Sequence, residues 1–492
     1  MFNRIFQKLR LAGQKGLDIL FKPIETPQGK WMEAVLLAAL FIVGLIHWGY
    51  FLNWFTNRFD IGDWHQYVGP TLMFLSKAFR SGQLPLQGVG PLLIPGQYLA
   101  RPNRPMSPQI LLLTFLEPAK YVLVNVWLMY AVGFIGLLVI KKRYALSLSS
   151  FILFFLLFNF NGHITDQYIV GHIEWVGYFL LPFFVLLVLQ MLEGRKTGWS
   201  WVFGMAMTML VINLQGAFHF FLWSMVFLLF LAIFQPRFWG PVIKAIVASG
   251  LLSMIRILPA VVEYYNGGGI TFMTGFISLS QMLDSFVILH PPYRFNAQSV
   301  LIGGWEFDFY LGLVGFAFMV YFGVIKSWIN QKTYRSLYLP MLVMVFFSLG
   351  DMYRPLFYSP IPFMDSQRAP TRFIIIPVIF LITLASIQFE SSIKHWDLDK
   401  WKEKIIILAG TAFIGFDLFQ HSNYWRLPYF TTKVVEIYTD AIQVAVVNNP
   451  DAPYMISVIA GLALTVIALI ILAIFALRER KMTRQKSLQS TL

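Results

Sequence analysis

Asp60 and Asp63 stand three residues apart in the stretch Phe59-Asp60-Ile61-Gly62-Asp63-Trp64-His65-Gln66-Tyr67, and Trp64-His65 follows the second carboxylate at once. A carboxylate held partly out of water has its pKa raised toward the range in which it can take a proton from a hydroxyl. Asp63 is the expected base, with Asp60 beside it and His65 placed to contact a bound molecule. The same Asp63 could instead cap the free N–H groups of a helix that follows it. Three arginines have the chemistry to hold phosphate, because guanidinium presents a planar fork of donors. Arg368 and Arg372 share a face if their helix begins early, and could equally reach out to lipid headgroups. Arg256 sits between Met254 and Leu258 in an apolar run, where a cation needs a partner or a polar cavity. Glu263, seven residues on, offers an ion pair as the competing account.

His163, Asp166, His172 and Glu174 have the residue types that ligate divalent ions. Their spacing matches no closed ligand motif, so a metal is not favoured and the cofactor is left open. His290, in His290-Pro291-Pro292-Tyr293-Arg294, and Glu306, in Trp305-Glu306-Phe307-Asp308, could line a site for a hydroxylated ring. An aromatic belt at a membrane interface would use the same residues.

The elements that must position these groups are apolar. Of 492 residues, 57% are hydrophobic and 13% charged, and the mean hydropathy is +0.64. Such a chain buries its surface in lipid, which implies an all-α polytopic membrane protein. The net charge of +14 does not indicate nucleic acid, because the basic residues are dotted between apolar runs rather than gathered on one face. There is no cysteine, which excludes disulfides and thiolate metal sites.

About twelve spans fit the hydropathy, at 32–55, 120–140, 146–160, 174–192, 199–214, 218–234, 241–262, 307–325, 337–349, 373–389, 405–419 and 454–477. Short basic segments such as Lys141-Lys142-Arg143 and Glu193-Gly194-Arg195-Lys196 alternate with longer acidic ones. By the positive-inside rule the basic set is cytoplasmic. The expected organisation is a cytoplasmic amphipathic segment over 1–31, a transmembrane region over 32–477 and a basic cytoplasmic tail over 478–492. External loops fall at about 56–119, 263–306, 351–372 and 421–453, the first carrying interfacial helices. Both termini are then inside, and the polar site residues face out.

The ordered motifs Ser81-Gly82-Gln83-Leu84-Pro85-Leu86, Gly171-His172 with Trp175 and Leu181-Pro182, Arg256-Ile257-Leu258-Pro259 with Glu263, and Arg368-Ala369-Pro370-Thr371-Arg372-Phe373 resemble a family pattern. The chain resembles a GT-C-type membrane glycosyltransferase, closest to the bacterial YfhO-like branch, over most of 32–389. It departs at Gln87-Gly88-Val89, where that branch often has Trp-Asn-Pro, which puts the acceptor side in question. The resemblance implies a GT-C fold in a prokaryotic cytoplasmic membrane. It implies transfer of a sugar from a polyprenyl-phosphate donor to a lipid or cell-envelope glycan acceptor on the external face. In that reading Asp63 and Asp60 are catalytic and Arg256, Arg368 and Arg372 hold the donor phosphate. His65, Asp166, His172, Glu174, Glu263, His290 and Glu306 bind substrate. The partners would be donor, acceptor and membrane lipids, with no nucleic acid. Two other classes compete: a twelve-span secondary transporter, which should show two related halves, and a non-catalytic protein that binds lipid-linked glycan.

Overall fold

Lipid leaves a backbone no outside hydrogen-bond partner, so apolar segments that cross it must be helices or closed barrels. Here they are helices. The computed structural model describes residues 19–21, 26–55, 63–89, 96–195, 197–267, 272–289, 304–361, 364–395, 401–426 and 445–489. Among the described residues, eight helices are long and apolar enough to cross a membrane: Pro27–Phe51, Pro118–Tyr144, Leu148–Ile169, Ile173–Leu192, Gly304–Asn330, Pro370–Ile393, Lys402–Tyr424 and Ala452–Thr483. A further pair, Pro236–Leu252 and Met254–Tyr264, is apolar enough only when taken together and is bent by 76° at its break, as a broken span or a re-entrant loop would be. The protein is therefore a helical, multi-pass membrane protein.

Each of the twelve anticipated segments is helical, but three are short. Trp199–Leu214 has 16 residues, Phe218–Phe234 has 17 and Tyr338–Ser348 has 11. At about 1.5 Å per residue these rise roughly 17 to 26 Å, less than the hydrocarbon thickness of about 30 Å. The first helix starts at Pro27, inside the segment expected to be separate, because Thr26 caps it by accepting from Gly29 N at 3.2 Å. Residues 1–18 of that segment lie outside the described residues. The last helix continues through the basic run to Gln489.

Burial grades the bundle. Pro370–Ile393 is the central helix, with 94% of its apolar window buried, against 28% for Pro27–Phe51 and for Ala452–Thr483. The outer helices expose Trp31, Ile42, Ile46, Ile456 and Ile467, as a lipid-facing surface requires.

The connections gather at two ends. At one, the Glu193 carboxylate accepts from the Tyr144 hydroxyl at 2.6 Å and the Tyr334 hydroxyl at 2.8 Å and pairs with Arg143. Glu390 there accepts from Ser147 N at 2.8 Å and Ser150 Oγ at 2.8 Å. The other end collects 63–80, 160–173, 304–311, 364–372 and 421–426, and with them Asp63, Asp166, His172, Glu306, Arg368 and Arg372.

The long first loop is clamped onto this second end. Its helix Gly69–Arg80 buries eight of 12 residues. Gly88–Val89 pairs antiparallel with Ala445–Val446, a two-residue ladder in an otherwise helical protein. Asp451 accepts from Gln87 Nε2 at 2.9 Å and Gln97 Nε2 at 3.1 Å. The Tyr454 hydroxyl donates to Leu86 O at 2.9 Å and accepts from Leu99 N at 3.0 Å.

At the bend a buried cation meets acceptors. Arg256, two residues into its second half, is fully buried and donates from Nη2 to the carbonyls of Arg101 at 2.8 Å, Pro102 at 3.1 Å and Arg104 at 2.7 Å. A buried guanidinium must find acceptors, and the bend turns it onto the 101–104 turn.

Candidate functional site

The site is assembled from four segments whose ends meet. Asn161 caps Gly162–Ile169 by accepting from Ile164 N at 3.4 Å, which starts a short helix carrying His163, Asp166 and Gln167. That helix stops at Gly171, whose φ of +103° suits glycine. A Cβ there would lie 2.7 Å from Trp64 N and 3.0 Å from the Asp63 carbonyl carbon. The bare turn thus lets His172 reach the start of the first loop. The tight helix Ile173–Leu180 follows with Glu174 and Trp175.

Asp63 occupies the N-cap position of the helical turn Trp64–Val68 but makes no side-chain cap bond. Its carboxylate instead meets His172 Nε2 at 3.0 Å, so the capping account is not the one realised. On its other ring nitrogen His172 faces Gln167 Oε1. The Gln167 amide is oriented by its own nitrogen, which donates to Trp305 O and to Glu306 Oε2, each at 3.2 Å. Both ring nitrogens of His172 therefore face side-chain oxygens. Glu306 is gripped by Arg372 through Nε and Nη2, and the Arg372 guanidinium lies 4.7 Å over the Trp175 ring. Trp175 in turn donates to His163 Nε2 at 3.1 Å. The result is one chain of charges and hydrogen bonds, Asp63–His172–Gln167–Glu306–Arg372, drawn from residues far apart in sequence.

The chain opens at one end. The Asp63 side chain is 44% exposed, whereas His172 is 11%, Arg372 9% and Glu306 4%. Partial burial pushes the Asp63 carboxyl up, but the hydrogen bond and charge of His172, with Arg368 and Arg372 nearby, outweigh it and hold the group below its ordinary value. The raised value expected of a partly buried base is thus reversed by neighbouring cations. Asp63 is an ionised carboxylate facing out of the network.

The other anticipated residues are distributed as follows. Arg368 is exposed, with its guanidinium 5.4 Å from the Phe272 ring and its carbonyl accepting from Thr274 N at 2.8 Å. Arg372 lies in the tight turn Pro370–Ile374 and is buried, so the two arginines do not share one helix face. Both remain within electrostatic reach of Asp63. Glu174 is buried near Asp63 and Arg372, and its Oε2 has no hydrogen-bond partner among the described residues. Arg256 is committed to the 101–104 carbonyls, and Glu263 faces Arg101 at 3.8 Å instead of Arg256. Asp60 and His290 lie outside the described residues; for His65 the backbone is described and the side chain is not.

The quartet His163, Asp166, His172 and Glu174 does not converge. The turn at Gly171 sends His172 and Glu174 toward Asp63, while His163 stacks on Phe309 at 4.7 Å. Asp166 points the other way, to Asp308 and His421. Ligand atoms of these three buried residues lie within 4.8 Å of one another. Asp308 and His421 were invisible as partners in the sequence because 113 residues separate them, as 139 separate Gln167 from Glu306. The one available signal was ionisable residues at the ends of apolar runs.

No known protein family, no curated protein and no solved structure matches the chain.

Proposed function

We propose that this protein is a membrane glycosyltransferase of GT-C type. It would take a sugar from a polyprenyl-phosphate donor and pass it to a lipid or glycan acceptor on the external side of a prokaryotic membrane. The observation that carries the reading is Asp63, ionised and open to solvent, hydrogen-bonded to His172 and accompanied by Arg368 and Arg372 at one end of a lipid-embedded bundle. An acceptor hydroxyl would bind Asp63, and its oxygen would form a bond to the anomeric carbon as the carbon–oxygen bond to phosphate breaks. The electron pair leaves with the polyprenyl phosphate, and the hydroxyl proton passes to Asp63. A carboxylate of lowered pKa suffices, because a hydroxyl attacking an oxocarbenium-like centre becomes strongly acidic as the bond forms.

Arg368, exposed, would meet the leaving phosphate. Arg372 is engaged by Glu306 and Trp175 and would act by fixing Glu306, Gln167 and His172. Arg256 would act at a remove, by pinning the first loop. A single displacement of this kind inverts the anomeric carbon.

One observation favours a secondary transporter: the helix pair bent by 76°, since discontinuous helices build transporter sites. Arg256 beside that break holds loop carbonyls through Nη2, and the half-exposed carboxylate of Asp63 lies at the bundle's end. The test is sugar transfer by purified protein in nanodiscs, with radiolabelled polyprenyl-phosphate sugars and envelope lipids. Asp63→Asn should lose transfer by about 10²-fold or more while still binding donor. Equal transfer by both proteins would remove Asp63 as the base; no donor binding by either would favour the transporter.

A further inference from the structure

Two carboxylates and an imidazole lie sealed behind the Asp63 network, and none of the steps above uses them. Asp166, Asp308 and His421 are exposed by 1% or less. Nε2 of His421 stands 3.1 Å from Asp308 Oδ2 and 3.7 Å from Asp166 Oδ1. We propose that these three side chains form a site for one divalent transition-metal ion of the Zn2+ class. The inference does not depend on the sugar-transfer reading.

Geometry is the first argument. Ligands about 2.0 to 2.2 Å from a tetrahedral ion are roughly 3.4 Å from each other, and the two measured separations bracket that value. Charge is the second. Two ionised carboxylates out of water cost several kcal/mol each, a cost that a bound cation or a proton removes. Among the described residues, His421 is the one basic side chain within ion-pair distance of either. The third argument is an atom with nothing to do. Asp166 Oδ2, sealed from solvent, has no hydrogen-bond partner, which leaves that carboxylate free to ligate through a second oxygen.

The surroundings hold the ligands in place, as outer-shell partners of a metal site do. Tyr310 N donates to Asp308 Oδ1 at 2.9 Å, and Thr165 Oγ1 donates to Asp166 Oδ1 at 3.3 Å. The Tyr310 ring stacks on His421 at 4.8 Å, and its hydroxyl is fixed by Asp417 at 2.6 Å. Gly162 makes room: a Cβ there would lie 2.4 Å from Asp308 Oδ1. Three protein ligands leave a fourth position open, and an imidazole with so few oxygens disfavours Ca2+ or Mg2+, which want six or more. The ion would tie Lys402–Tyr424 and the start of Gly304–Asn330 to Gly162–Ile169. The residue after Asp166 in that helix is Gln167, which orients His172.

The test uses the purified full-length protein. After stripping with a strong chelator and supplying Zn2+ alone, elemental analysis should find about one equivalent per chain. X-ray absorption should show only nitrogen and oxygen ligands, with one imidazole. Zn2+ should raise the melting temperature of the wild type, and His421→Gln and Asp308→Asn should each weaken binding by about 100-fold or more. His219→Gln, a half-buried histidine outside the cluster that faces Gln367, should keep its equivalent and so control for folding. Wild type that takes up neither Zn2+ nor Mn2+ would overturn the site in favour of a proton shared between the carboxylates. An equivalent retained by the Asp308→Asn/His421→Gln double variant would overturn it as well, since the ion would then sit elsewhere.

Discussion

Asp63 and His172 define the chemistry at the scale of single residues. Burial alone would make Asp63 a stronger base, but the cations around it win. Its folded pKa is depressed, so its stabilising effect is complete above the unfolded value of about 4 and is lost as pH falls through the lower folded value. The expected result is a melting-temperature gap between wild type and Asp63→Asn that is constant between about pH 6 and 5 and shrinks below about 4. A gap that titrated away between pH 5 and 6 instead would mean a raised carboxyl and would reverse the sign assigned to His172 and the arginines. The sequence showed Asp63 as a candidate base because an acidic residue follows an apolar run. It could not show His172 as its partner, because that pairing spans 109 positions and depends on how two helix ends meet.

At the scale of elements, hydropathy located the helices well and their directions poorly. The segment 241–262 reads as one apolar run, yet it is bent by 76° between Leu252 and Met254, since apolar content carries no information about axis. Arg256 was the sign of that bend: a guanidinium within an apolar run has to turn toward acceptors. Gly171 shows the same limit at a turn. Sequence places it in a Gly-His pair; only the packing shows that its α-carbon lies against the Trp64 backbone. Gly171→Ala should therefore strain the turn by about 1–3 kcal/mol and push the Asp63 segment outward. A displacement near 1 Å at a reacting group can cost about 100-fold in rate, so transfer should fall far more than expression or melting temperature. Transfer within about twofold of wild type would mean that this turn does not set the position of Asp63.

For the whole molecule, the open question is which side each end faces, and the two ends supply the argument. One end gathers the short basic connections around Glu193 and Glu390, and the other gathers the polar network under the clamped first loop. If cationic short loops stay on the cytoplasmic side, Asp63 would face outside, as the proposed transfer from a polyprenyl-phosphate donor in the outer leaflet requires. The chain has no cysteine, so single cysteines can report sidedness without background. Ser81→Cys and Thr333→Cys both replace exposed residues, at the site end and the basic end respectively. In intact cells a membrane-impermeant maleimide should label Ser81→Cys and spare Thr333→Cys until the membrane is opened. The reverse pattern would place the Asp63 network on the cytoplasmic side, where a nucleotide-linked donor would be the better fit to Arg368, and the external-face assignment would have to be given up.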